Sequence, residues 1–353
     1  MAQPDWTRGD LSHRMYVQLI DPLDLTSVRG ELQNVVRAGQ CDYAYYSDTR
    51  TGARISTFGE DGWDGSAAMR IRHVASDYTG DLWEETLGTY YVTACSWSED
   101  EGRTTDYTLS GTLHGLETNV TPRAYTVNKG AKALDVVRNI MRITSRPFYI
   151  EGGARNYTFS RATVYEAGKS YLSILFDVVN RANDRLSVVR DGRVVISPYT
   201  APSQTSPTFE VDADGARSLF IGPFTSGDAG LEIPERVIVS AQDDKKTITG
   251  IAVAASGTRQ RHSRRGYCID DFRTVSNMSP FTQKQADALA ARYLAGDVEN
   301  RTASHGLRYR PLREGDIELL TMGGVAKRWH IQNATLNLQD WTWNLDVRGG
   351  WSA

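Results

Sequence analysis

Between Trp341 and Arg348 the chain alternates without a break. Trp341, Trp343, Leu345 and Val347 fall on one face of an extended strand, and Thr342, Asn344, Asp346 and Arg348 fall on the other. Successive side chains of a strand point to opposite sides, so this pattern makes a strand with one buried face and one face that is wet or paired with a neighbour. Just upstream, Ala334, Leu336 and Leu338 repeat the same period. A register slip of one residue would turn the whole apolar set to solvent, so the sheet that receives these strands is strongly specified.

The first third of the chain carries the same signature. Met15 to Leu19 alternates, and Met69, Ile71 and His73 share a face with arginines opposite. Tyr90 to Cys95 is aromatic and β-branched, and Asp106 to Leu113 alternates again after the charged turn Ser98 to Gly102. Short strands at this spacing, separated by turn residues, belong to an all-β barrel or sandwich. Thr57 to Gly65 breaks the pattern and reads as an excursion or long loop.

The period changes near Thr121-Pro122. Ala131 to Ile143 carries Ala133, Val137, Ile140 and Met141 at helical spacing, with Asn128 as a candidate N-cap. A second helix starts at Ser170, with Leu172, Leu175, Phe176, Val179 and Ala182 in one stripe. Two β-prone runs flank Asp191-Gly192, a dipeptide suited to a type I′ hairpin turn. Thr200 to Pro207, polar and holding two prolines, reads as a linker. Beyond it, Arg236 to Ser240 and Thr247 to Val253 read as strands around the turn 242–245. A helix follows with Thr282 and Gln285 as a capping box, Ala286, Leu289, Ala290 and Tyr293 as its stripe, and Gly296 as its C′ residue.

At 353 residues the chain is longer than one core usually serves. The expected fold is therefore β-rich α+β: two β-barrel-like domains, residues 1–120 and 201–353, flank a small α+β domain, residues 121–200, with two helices and a hairpin. The second β domain carries one inserted helix.

Chemistry is hard to find. His13, His73, His114, His262, His305 and His330 are scattered, and none stands in a metal-binding spacing; His73, beside Ile71 on a strand face, reads as a packed core histidine. No G-x-S-x-G, P-loop or G-x-G-x-x-G occurs, and Gly227 to Gly230 and Gly323-Gly324 read as isolated turns. The doublets Glu84-Glu85, Asp243-Asp244 and Asp270-Asp271 are poor acid/base pairs, because neighbours on a strand diverge. No catalytic, cofactor-binding or metal-binding residue is assigned, and the chain is read as non-enzymatic and free of cofactors. Net charge is −3, so no global basic field calls for nucleic acid. Arg259 to Arg265 is the densest basic run, either a solvated mobile loop or a contact with DNA or an acidic surface. Cys41, Cys95 and Cys268 are odd in number and far apart, which reads as reduced thiols. With no signal-peptide core and no apolar run near 18 residues, a protein made in a reducing cytosol is expected. The N-x-S/T triplets at Asn119, Asn156, Asn277, Asn300 and Asn333 then read as chance. Trp329, Trp341, Trp343 and Trp351 crowd the C-terminal strands and suggest a subunit interface.

Three stretches carry a resemblance. One runs from Tyr43-Ala44-Tyr45-Tyr46 through Arg54-Ile55-Ser56-Thr57 and Met69-Arg70-Ile71-Arg72 to Leu87-Gly88-Thr89-Tyr90-Tyr91-Val92. The second joins Val136 to Met141, Tyr165 to Leu172, and the hairpin ending Val195 to Tyr199. The third comprises Ala286 to Leu294, Arg310 to Asp316, and the Trp341 to Val347 strand. Together they resemble the trimeric baseplate hub family of phage tails and related injection machines, which includes siphophage tail-tip (tail-associated) proteins. The resemblance implies a virion structural protein at the tail tip, made in the bacterial host cytoplasm. It implies a homotrimer whose ring of barrel-like domains closes the tail tube and joins it to tip or fibre proteins. The implied partners are the distal tail protein, other tail-tip or baseplate proteins and the tape-measure protein, with DNA passing through the ring unread. The chain ends at Ala353 directly after the last expected strand, so a bare hub is expected. Two other readings remain: a cell-wall-hydrolysing module, which would need clustered carboxylates or a Cys/His pair, and a carbohydrate-binding module, favoured by surface tryptophans and tyrosines.

Overall fold

The computed structural model describes residues 4–8, 11–45, 51–80, 82–99, 103–202, 205–228, 234–243, 246–257, 261–275, 282–297 and 301–352. The first part is β1 (Ser12–Ile20), β2 (Val28–Leu32), β3 (Val35–Ala44), β4 (Thr51–Phe58), β5 (Ala68–Ser76), β6 (Leu82–Ser98) and β7 (Thr104–Gly111). The α+β part is α1 (His114–Glu117), β8 (Tyr125–Val127), α2 (Ala133–Ile143), β9 (Phe148–Ile150), β10 (Thr163–Tyr165), α3 (Tyr171–Arg181), β11 (Asp184–Val188) and β12 (Val194–Pro198). Next come β13 (Phe209–Asp212), β14 (Phe220–Asp228), β15 (Arg236–Asp243), β16 (Lys246–Val253), α4 (His262–Arg265), β17 (Asp270–Val275) and α5 (Gln283–Asp297). The chain closes with β18 (Arg301–Arg308), β19 (Ile317–Met322), β20 (Val325–Asn337) and β21 (Thr342–Ser352).

The β-rich α+β class expected from the sequence is the one found. The two β parts meet in a 13-stranded sheet of order β14-β18-β21-β20-β3-β4-β7-β6-β5-β1-β2, with β19 on β20 and β13 on β19; among the described residues the sheet is not closed. β20 makes the join. Its first half pairs antiparallel with β19 and its second half with β3, Asn333 opposite Ala44 and Asn337 opposite Gln40, while β21 lies along its other edge. Thr335 donates to Asp42 across that seam at 2.9 Å. One hydrophobic core spans both parts, from Val17, Ile55, Ile71 and Leu109 to Ile331, Leu336, Trp343 and Leu345.

This core corrects one expectation. Trp329 and Trp343 are buried at 4% and 0% exposure, and Trp341 is buried beside them. They fill this chain's own interior rather than an interface, because the alternating face they occupy is the one the sheet folds inward. Trp341 also precedes β21: it sits in the turn with φ 57°, where Asp340 accepts from the Thr342 amide.

The α+β part has a separate core, built from Val137, Ile140, Leu172, Leu175, Leu186 and Ile196 among others. Ser170 caps α3 by accepting from the Ser173 amide, as its side chain and position predict. The cap expected from Asn128 is not made. α2 starts after Lys132, and the Asn156 side chain accepts from the Leu134 amide instead. β11 and β12 form the expected hairpin, with β9 parallel to β12. Its loop has three residues, Arg190-Asp191-Gly192, closed by the Val189 and Arg193 backbones, and Gly192 carries the positive φ of 92°. Asp191 is not left-handed, so the turn is a type I turn with a following glycine rather than type I′.

The helix expected as a lone insertion belongs to a larger one. β15 pairs with β16 antiparallel and with β17 parallel, and α5 lays Ala286, Leu289, Ala290 and Leu294 against Val237 and Val239. Thr282 and Gln285 form the expected capping box at 2.9 to 3.3 Å. α5 continues through Gly296 to Asp297, so Gly296 is not its C′ residue. Gly250 lets α5 approach: a Cβ there would collide with the Ala286 carbonyl group. Gly250→Val should therefore force helix and sheet apart and lower the stability of this unit by about 3 kcal/mol in urea titration; an unmoved midpoint would refute the contact.

Several expected features fall partly outside the described residues: Tyr46, Asp100 to Gly102, Ser203-Gln204, Ala229-Gly230, Asp244-Lys245, Arg259-Gln260, Asn277 and Asn300.

Candidate functional site at the junction of three parts

The tip of the β11–β12 hairpin enters the space between β6 and the loop that follows β18. Arg190 carries the contact. Its guanidinium meets the Glu85 carboxylate at 2.5 Å, with side-chain exposures of 20% and 14%, and also donates to the Thr86 carbonyl at 3.2 Å and to the Leu312 carbonyl. The tip backbone is held as well. Thr89 donates to the Arg190 carbonyl at 3.0 Å, Arg70 to the Asp191 carbonyl at 3.3 Å, and Thr112 to the Gly192 carbonyl at 2.8 Å. Gly192 is needed here, since a Cβ would meet Thr112 and Leu25 side-chain atoms at 2.9 and 3.0 Å.

Glu85 sits where its neighbour does not. It faces the junction, while Glu84 on the opposite side of β6 accepts from Tyr16 and pairs with Arg72 at 2.8 Å. Burial pushes the Glu85 carboxyl up to about 7, and the Arg190 charge opposes that rise. Tyr309 donates to the other Glu85 oxygen. Behind it lies a ring cluster: His73 packs with Tyr309 at 4.2 Å and Trp341 at 4.3 Å between ring centroids, and is stacked on His13 at 5.2 Å. His13 Nδ1 and His73 Nε2 are hydrogen-bonded at 3.0 Å. Burial holds His13 down to about 4 and His73 down to about 2, so both rings are neutral near pH 7.

Beside the tip lies a cleft of about 550 Å³, lined by Tyr43, Tyr45, Glu85, Arg185, Arg190 and Glu314 among others. Arg185 pairs with Glu314 at 2.8 Å across it. Each lining arginine named here is matched by a carboxylate, so the site fixes parts of the chain against one another. Among the described residues no group of three or more His, Cys, Asp or Glu side chains is placed to hold a metal ion.

The other sequence candidates lie elsewhere. His73 is fully buried, as its strand face predicts. His305 lies in the main core, 2.9 Å from Glu318, both side chains without exposure. In the basic run, Arg261 and His262 are tied to Glu235 at 3.0 and 3.1 Å, and His262 to Arg265 forms one helical turn. Asp270 pairs with Arg236, and Asp271 with Arg273 at 2.6 Å. The Glu85–Arg190 pair joins residues 105 apart in sequence. Its only sequence trace is the placement of Arg190 in the turn beside Asp191-Gly192.

No family model matches the chain, and no curated protein matches it in sequence. Solved structures do. The tail protein from Neisseria meningitidis MC58 superposes with a TM-score of 0.68 at 11% identity, covering 96% of both chains. The chain shares the fold of phage tail proteins. The 43 kDa tail protein of prophage MuSo2 from Shewanella oneidensis follows at TM-score 0.65 and 9% identity, over 95% of this chain and 98% of that one. Prophage tail protein gp18 from Listeria monocytogenes EGD-e gives 0.54 at 8% identity, over 95% and 94%. The tail-protein fold therefore takes in the continuous sheet, the α+β part and the inserted α5 unit together. At identities this low the likeness extends to the fold, and the roles of side chains such as Glu85 and Arg190 rest on their geometry in this chain. No helix among the described residues is long and apolar enough to cross a membrane.

Proposed function

We propose that the chain is a structural, non-catalytic hub subunit of a phage or phage-like tail tip or baseplate. The observation that carries this reading is the likeness to the Neisseria tail protein, which extends over 96% of each chain rather than over one shared domain. In this reading the chain forms a homotrimeric ring that closes the tail tube and connects it to tip or fibre proteins. Its other partners are the distal tail protein, further baseplate proteins and the tape-measure protein, and its place is the virion tail. The net charge of −3 suits a ring through which DNA passes without sequence recognition. Segments 1–120, 121–200 and 201–353 are the proposed building units of the ring, the first and last sharing a sheet.

Light scattering on the purified protein across concentration tests the assembly. The 39.2 kDa chain should give a mass near 118 kDa, three copies. A chain that stays monomeric both alone and with co-expressed tail proteins would refute the ring.

A further inference from the structure

We propose that the α+β part, from Leu113 to residue 200, is a hinged arm, and that the Arg190 hairpin tip is the latch that holds it closed against the sheet. The latch belongs to the single chain and does not depend on its place in a tail. Three observations lead to it.

First, the two bodies have separate hydrophobic cores. The sheet buries one set, and α2, α3 and β12 together with Leu113 and Leu116 around α1 bury another, so each keeps its interior if the contact between them opens. Second, the contact between them is largely polar. Arg190 reaches Glu85, Arg185 reaches Glu314 at 2.8 Å, and Arg146 reaches Tyr91, its guanidinium lying 4.7 Å over that ring. Ion pairs of this kind orient two surfaces and add little net strength over apolar packing of the same volume. Third, the cleft of about 550 Å³ lies along the contact. The surfaces are therefore not close-packed, and water reaches the Arg190–Glu85 pair from one side. The chain enters the arm directly after β7, where Leu113 already belongs to the arm's core, and leaves it through Ala201-Pro202, where proline ends regular structure.

The latch is specific in its geometry. Residues 190, 191 and 192 each offer a carbonyl that a sheet side chain satisfies, from Thr89, Arg70 and Thr112 respectively. The tip leaves as a unit or not at all, because displacing Arg190 withdraws all three acceptors together.

Hydrogen exchange followed by mass spectrometry on the full chain tests this. In the wild-type protein, the tip 189–193, β6 near Thr86 to Thr89 and the loop 310–314 should exchange faster than α2, α3 and β20. Arg190→Ala should raise exchange at the first three at least tenfold and leave the latter three unchanged. Arg193→Ala, which removes an exposed pair with Asp191, should change none of them. Thr112→Val keeps the side-chain volume and removes only the bond to Gly192, so it covers the case in which Arg190→Ala does not fold. It should raise exchange at the same three segments by a smaller factor. Unchanged exchange at the tip, or an equal loss of protection in α2, α3 and β20, would overturn the latch.

Discussion

Deleting residues 340–353 is expected to leave no folded sheet. β21 is an interior strand, hydrogen-bonded to β18 on one side and β20 on the other, and its loss cuts β14 and β18 off from the rest of the sheet. It also removes Trp341, Trp343, Leu345 and Val347 from the core, three of them at 1% exposure or less. Truncating a single buried tryptophan to alanine costs about 3–5 kcal/mol, against a total domain stability of about 5–15 kcal/mol. Two such losses, with those of Leu345 and Val347 and of the strand's backbone pairing, exceed that stability. The milder Trp343→Ala also frees the Arg310 carbonyl, which accepts from Trp343 Nε1 at 3.0 Å. That variant should unfold at clearly lower urea, by about 4 kcal/mol. Near-UV circular dichroism and urea titration check both. A deletion variant that stays folded but fails only to associate would restore the interface reading of the tryptophans and refute the core assignment.

The second large effect is acid destabilisation. His73 and His330 are buried and His13 half-buried, all neutral rings whose folded values, about 2, 4 and 4, lie below the usual 6.5. A depressed value means that the unfolded chain takes up protons first. The stability these groups permit is therefore complete above pH 6.5 and is lost progressively as pH falls toward their folded values. Every tenfold difference in proton affinity between the folded and unfolded ring corresponds to about 1.4 kcal/mol, so the cluster alone can cost on the order of 5 kcal/mol between pH 7 and 4. Two groups oppose this trend. Glu85, raised to about 7, binds its proton more tightly when folded and favours the fold as pH falls from 7. His305 behaves likewise: burial works against its charge, but the hydrogen bond and charge of Glu318 outweigh burial and raise it. Urea titrations at pH 7 and pH 4.5 measure the balance. Replacing both rings, His13→Phe with His73→Phe, should flatten the decline while keeping the aromatic packing. An identical decline in that variant would place the acid sensitivity elsewhere.

Much of the local structure is legible in the sequence because its causes are local. The period-2 runs form β1, β5, β7, β20 and β21; Ser170 caps α3; the Thr282 and Gln285 capping box forms as its spacing requires. Where the local reading fails, a distant group supplies the missing contact. α2 takes its cap from Asn156 rather than from Asn128. The C-terminal tryptophans are claimed by strands that begin some 300 residues earlier in the chain, through the β20–β3 seam.

Side-chain period and capping chemistry act within a few residues. They suffice to say which stretches are strand and which are helix, which face of each is apolar, and that an α+β part stands between two β parts. They do not say that the outer parts share one sheet and one core, that α5 rides on its own three-stranded sheet, or that Glu85 and not Glu84 meets Arg190. Strand partners and buried ion pairs are chosen by which surfaces can exclude water together. That choice belongs to the whole folded chain, and no window of sequence contains it.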